Sequence, residues 1–156
     1  MPEIHIPELL YQELTRICVE SLPHKAFGLI GGTDPYHPTT LYPCTTNLRN
    51  EPEWKSLFES FGDFYKDPDL GFVIAHPEVK TVMELMDSRR EAFVGVFHSH
   101  RILRAEPSDI DIFLSSDPGL FSYIVSVVNP SNPEVGVFSI SGGSYQEVPI
   151  VRCQPS

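Results

Sequence analysis

A chain of 156 residues is the size of one domain, and a core of that length can bury about two-thirds of the surface its unfolded form exposes. Eleven Lys and Arg against twenty-one Asp and Glu leave a net charge of −10, which argues against a general grip on nucleic-acid phosphates and against docking on an anionic membrane. A 41% share of hydrophobic residues excludes disorder, and no apolar run approaches the ~20 residues of a membrane span.

Residues 3–6 alternate like a short strand. Pro7 stands at the first position of a helix, where proline is favoured, and Leu10, Leu14, Ile17 and Cys18 share one face, so residues 7–21 read as an amphipathic helix that Pro23 stops. Residues 26–30 read as a buried strand closed by a turn at Gly31-Gly32, and 33–39, with two prolines, as a loop. Residues 41–46 read as a strand in which Pro43 marks an edge position or an irregularity. Across 48–70, Trp54, Leu57, Phe58, Phe61 and Phe64 form an aromatic cluster, either a flap or short helix packed on the core or a groove wall for an extended peptide; Asp67-Pro68 marks a turn. Pro77 opens a helix to about Arg90 with Val79, Val82, Met83 and Met86 toward the core. Residues 92–98 are the strongest apolar strand, and 107–116 a helix with Ser108 as cap and Asp109 in its first turn. Residues 123–128, 135–140 and 147–151 are further strands, with Asn129-Pro130 and Gly142-Gly143 as turns. The order predicts an α+β or α/β fold with a largely antiparallel or mixed sheet, as one domain over residues 1–156.

The segment Met1 to Pro7 lacks the basic start and apolar stretch of a signal peptide, and the three cysteines (Cys18, Cys44, Cys153) are odd in number and scattered. Both features predict a cytoplasmic setting. Cys18 reads as a buried apolar residue, and Cys44 and Cys153 fit no zinc pattern. His5, His24 and His76 have no spaced partners, and neither Gly-Gly pair has the surroundings of a phosphate loop.

The chemistry gathers at His98-Ser99-His100. Two residues apart on a strand, both imidazoles point to one face. Asp111 follows eleven residues after His100, inside the 107–116 helix. Two imidazoles and a carboxylate suit zinc and leave a fourth position for water, whose pKa falls toward neutrality when bound. Ser108, one turn before Asp111, shares its helix face and offers a hydroxyl to an oxyanion. Taken singly these are strand-end histidines, a solvated aspartate and a helix cap. The joint pattern, His-x-His, seven residues, Ser, two residues, Asp, has a chance occurrence on the order of a few in ten thousand.

Those residues resemble the signature of the JAMM (MPN+, Mov34-type) zinc metallopeptidases. Residues 23–32 are similar to that family's first core strand, and Asn47, the 64–68 segment and the 123–128 strand also resemble its short bacterial members. The resemblance implies a curved mixed β-sheet flanked by helices, with a cytidine-deaminase-like core. It implies zinc held by His98, His100 and Asp111, with Ser108 stabilising the oxyanion. It also implies hydrolysis of a peptide or isopeptide bond after the tail of a ubiquitin-like or sulfur-carrier protein. Two positions depart from the pattern: Arg101, where the family usually has proline, and Lys25, where it has the glutamate that serves as general base. An ammonium repels Zn²⁺ and has no lone pair for a proton, and losing a positioned base typically costs about 10²–10⁴ in rate. Three readings of Lys25 stand open: a pseudo-enzyme that binds a ubiquitin-like partner without cutting; an enzyme whose base is another group, with Glu106 ahead of Glu20 and of His24, which should point to the opposite face; or a neutral Lys25 acting as catalytic base or ligand. A deliberate charge reversal is a fourth.

Overall fold

Strand β4 (Ala92–His100) is the axis of the molecule, shown here by a computed structural model that describes residues 2–154 except 116 and 118. It pairs antiparallel with β2 (Phe27–Asp34) and parallel with β5 (Phe121–Ser126). The hairpin partner β3 (His37–Pro43) lies outside β2, and β6 (Glu134–Ser141) and β7 (Ser144–Glu147) continue beyond β5. The order β3-β2-β4-β5-β6-β7 is therefore a mixed sheet, while β1 (Ile4–Pro7) and β8 (Ile150–Cys153) form a separate parallel pair.

Alternation along the strands divides the apolar side chains between two faces. Helix α1 (Glu8–Glu20) sets Leu10, Leu14 and Cys18 against Ile30, Val94, Tyr123, Val125 and Val137 on one face. Each leucine so buried contributes about 1.5–3 kcal/mol. Helix α3 (His76–Ser88) sets Val82 and Met86 against Phe27, Leu29 and Tyr42 on the other. That second face also carries α2 (Pro52–Glu59) and α4 (Asp109–Leu114). Ile110 packs with Phe58, Tyr65 and Leu70, and Ile112 on Ile124, Phe138 and Ile140. The result is an α+β fold with helices on both sides of a mixed sheet.

Several local expectations shift. Pro7 ends β1 and caps α1 with extended backbone (ψ 138°) instead of starting the helix. Gly31-Gly32 is not a turn: β2 runs through it to Asp34, and β3 begins at His37. A Cβ on Gly32 would stand 2.4 Å from the His37 carbonyl oxygen, so glycine is what lets the two strands approach there. Pro43 does lie on an edge strand. Met83 faces solvent, 43% exposed, and α3 stops at Ser88. The last predicted strand divides around Val148-Pro149 into β7 and β8, because the Pro149 carbonyl accepts from Ile4 N–H and turns the chain onto β1. Helix α4 spans only 109–114, and the expected end at 116 lies outside the described residues.

Candidate metal centre and its groove

Strand β4 carries two histidines to its end because His98 and His100 continue its alternation onto the α3 side of the sheet, where His98 pairs in register with Ile124. The chain then loops through 101–107 and enters α4. There Ser108 Oγ accepts from Asp111 N–H at 3.2 Å, and Asp111 Oδ2 accepts from Ser108 N–H at 2.9 Å. This reciprocal capping box satisfies two helix-terminal amides and fixes the Asp111 carboxylate in place.

Three lone-pair atoms converge. His98 Nε2 lies 3.0 Å from His100 Nε2, and Asp111 Oδ2 lies 3.2 and 3.0 Å from the two. The side chains are 3%, 3% and 8% exposed. His100 Nδ1 is 2.8 Å from the Arg104 carbonyl, which only accepts, so Nδ1 carries the proton and Nε2 points its lone pair inward. Lone pairs facing one another at 3 Å repel unless a cation or proton stands among them. A tetrahedral zinc with ligands at about 2.0–2.1 Å spaces them about 3.3 Å apart, so the donor set and its spacing fit zinc. Among the described residues this is the one cluster of three or more His, Cys, Asp or Glu side chains that converges in this way. Burial pushes His98 down to about 4 against the pull of Asp111, keeping the imidazole neutral near pH 7. Burial alone would raise Asp111, but attraction to His98, and hydrogen bonds from either imidazole when its Nε2 carries a proton, outweigh it and hold the carboxyl well below its usual range. Both groups are thus in the protonation state a metal needs.

Lys25 stands just before β2, beside this cluster. Its ammonium donates to the Ser99 carbonyl at 2.8 Å, lies 5.9 Å from the Phe72 ring centroid, and shares a small cavity with His100, Ser108 and Asp111. Burial pulls its pKa to about 8, with Asp111 opposing. None of the proposed substitutes for the base reaches the cluster: Glu106 pairs with Arg104 at 2.9 Å, Glu20 pairs with Arg16 at 2.8 Å on the outer face of α1, and His24 is exposed. Arg101, the other departure, bonds Asp67 at 2.8 Å and ties the loop after β4 to the 62–71 loop.

On the His98 side opens an apolar groove of about 300 Å³, with His98 and Asp111 in its lining beside Trp54, Phe72, Ile74, Ile110 and Leu114. The aromatic cluster of 48–70 divides between the core and the groove. Phe58 packs fully buried under the flap, while Trp54 lines the groove. Sequence reasoning missed Arg49, which is fully buried behind this wall, because a lone arginine has no periodic signature. It also missed a surface cluster: His5 stacks on His37 at 5.2 Å and comes within 4.0 Å of Cys153 Sγ.

Residues 7–140 match the profile of a family described as prokaryotic homologs of the JAB domain. A CysO-cysteine peptidase of Mycobacterium tuberculosis (strain H37Rv) is 25% identical over 128 residues, covering 82% of this chain and 76% of that protein. The solution structure of a Desulfitobacterium hafniense protein superposes with a TM-score of 0.77 at 24% identity, over 97% of this chain and 94% of its own. The crystal structure of a JAB1/MPN domain protein from Archaeoglobus fulgidus superposes at 0.55 with 16% identity, over 97% and 100%.

Proposed function

This chain belongs to the prokaryotic homologs of the JAB domain, and on that footing we propose that it is a zinc metallopeptidase domain. It hydrolyses a peptide or isopeptide bond after the C-terminal tail of a ubiquitin-like or sulfur-carrier protein, in the cytoplasm, without nucleic-acid or membrane partners. The observation that carries the reading is the convergence of His98, His100 and Asp111 within 3.2 Å beside an apolar groove. Zinc held there supplies a Lewis acid for the scissile carbonyl and lowers the pKa of a water. Ser108 uses its oxygen, not its proton, in the helix cap, so its O–H remains to donate to the oxyanion. The Arg104 carbonyl holds the His100 ring in its working tautomer. The groove takes the residues of the tail beside the scissile bond. Similarity to a CysO-cysteine peptidase supports a sulfur-carrier protein as the substrate class. The test is incubation of the zinc-loaded chain with a carrier protein extended beyond its Gly-Gly end, read by mass spectrometry. Release of the extension, abolished by a chelator, is expected.

A second reading rests on Lys25: with an ammonium in place of the base, the same fold serves as a binding module for the carrier. No carboxylate besides Asp111 joins the cluster among the described residues, which favours it. Carrier binding without cleavage, with or without zinc, is its expected result.

A further inference from the structure

The segment 65–74 walls both sides of the metal-ligand cluster. Tyr65, Leu70 and Gly71 line the small cavity with His100 and Ser108, and Phe72, Val73 and Ile74 line the groove with His98. The Phe72 and His98 rings are 4.7 Å apart. This wall is strapped from behind. The Arg49 guanidinium, 0% exposed, donates to the carbonyls of Tyr65, of Asp67 at 2.9 Å and of Leu70 at 2.5 Å, and stacks 4.7 Å over the Phe58 ring. Asn47 Oδ1 accepts from Arg49 N–H at 3.0 Å and from Val73 N–H at 2.9 Å, while its Nδ2 donates to the Gly71 carbonyl at 3.3 Å. Gly71 is left-handed (φ 80°), and a Cβ there would lie 1.9 Å from the Phe58 ring, so the wall is pressed onto the strap.

A guanidinium buried without a bonded carboxylate is costly. Here the planar fork reaches three successive parts of one loop, a geometry that an ammonium at a single point does not reproduce. We infer that Arg49, seconded by Asn47, is a positioning residue for substrate: it holds residues 65–73 as a fixed wall, so that an incoming tail meets a preformed groove. The inference rests on the peptidase reading for what fills the groove, not for the strap itself. Arg49 touches neither a metal ligand nor the groove, so its loss acts on substrate affinity and leaves the metal alone.

The experiment compares Arg49→Lys, which keeps the charge and loses the fork, and Asn47→Ala with the unaltered chain. Amide exchange at Tyr65, Asp69, Leu70 and Val73 should accelerate about tenfold or more while the β4 and β5 amides keep their rates. On an extended carrier protein KM should rise about tenfold with kcat within about threefold, at unchanged zinc content. Unchanged loop exchange in both variants, or a fall in kcat at constant KM, overturns the inference. If Arg49→Lys fails to fold, Asn47→Ala carries the same comparison. A chain that cleaves no carrier defeats the peptidase reading alone, and the exchange rates then decide the strap without substrate.

Discussion

Lys25→Glu reverses a charge beside the candidate site. The Lys25 ammonium donates to the Ser99 carbonyl at 2.8 Å and shares its cavity with His100, Ser108 and Asp111. Glutamate removes that charge-assisted bond, worth about 1.5–3 kcal/mol, and brings a second carboxylate toward Asp111, so the metal-free protein loses stability. Toward a bound dication the change has the opposite sign. One pair of unit charges at contact is worth about 1 kcal/mol even in water, and the swap turns repulsion into attraction. Zinc should therefore bind about ten- to a hundredfold tighter, about 1.4–2.8 kcal/mol. A positioned general base should then raise the rate about 10²–10⁴-fold. Competition with a chromogenic chelator reads the affinity, and initial rates on an extended carrier protein read the catalysis. A chain that cleaves rapidly as it stands and slows when Lys25 becomes Glu would sink the reasoning, and would make Lys25 itself a working part of the reaction.

Ser108→Ala should cost about 1 kcal/mol as a lost helix cap, about 2–4 °C in Tm, but about 10²–10³ in kcat if its hydroxyl serves the oxyanion; equal small effects on both would leave it a cap only. The metal-free protein should weaken in acid. Burial holds folded His98 near a pKa of about 4, whereas the unfolded chain takes up that proton around the ordinary value of 6.5. Stability is full above the unfolded value and declines as pH falls from 6.5 toward 4, so a urea midpoint that stays level across that window would be incompatible with the burial of His98. Thiol titration of the native protein should count one cysteine, Cys153, and three after unfolding. Burial pushes Cys18 up to about 12 and Cys44 up to about 11, and the thiolate is the reactive form. Rapid native labelling of Cys18 or Cys44 would show that α1, or the segment just after β3, opens readily.

What was legible in the sequence was local. The His-x-His pair declared its shared face by strand alternation, and Ser108 and Asp111 by helix spacing, so the cluster could be named before any contact was known. The amphipathic stripe of α1 and the run of β4 were readable for the same reason, each element repeating its own period over several turns or residues. What escaped was set by distant partners. Gly31-Gly32 has the composition of a turn, but both residues pair with β3 and β4, and the nearness of the His37 carbonyl leaves no room for a side chain on Gly32. Lys25 points where it does because of the Ser99 carbonyl, 74 positions along the chain. The pairing of Arg101 with Asp67, and the burial of Arg49 under three loop carbonyls, follow from how 62–74 folds over the sheet.

The hydrolysis proposed for the groove depends on His98, His100 and Asp111 holding zinc. Elemental analysis of the purified protein, before and after zinc addition and dialysis, measures this directly. One zinc per chain is expected, lost in His100→Ala and in Asp111→Ala. A folded chain that carries no zinc and takes up none would defeat the metal centre and the hydrolytic reading with it.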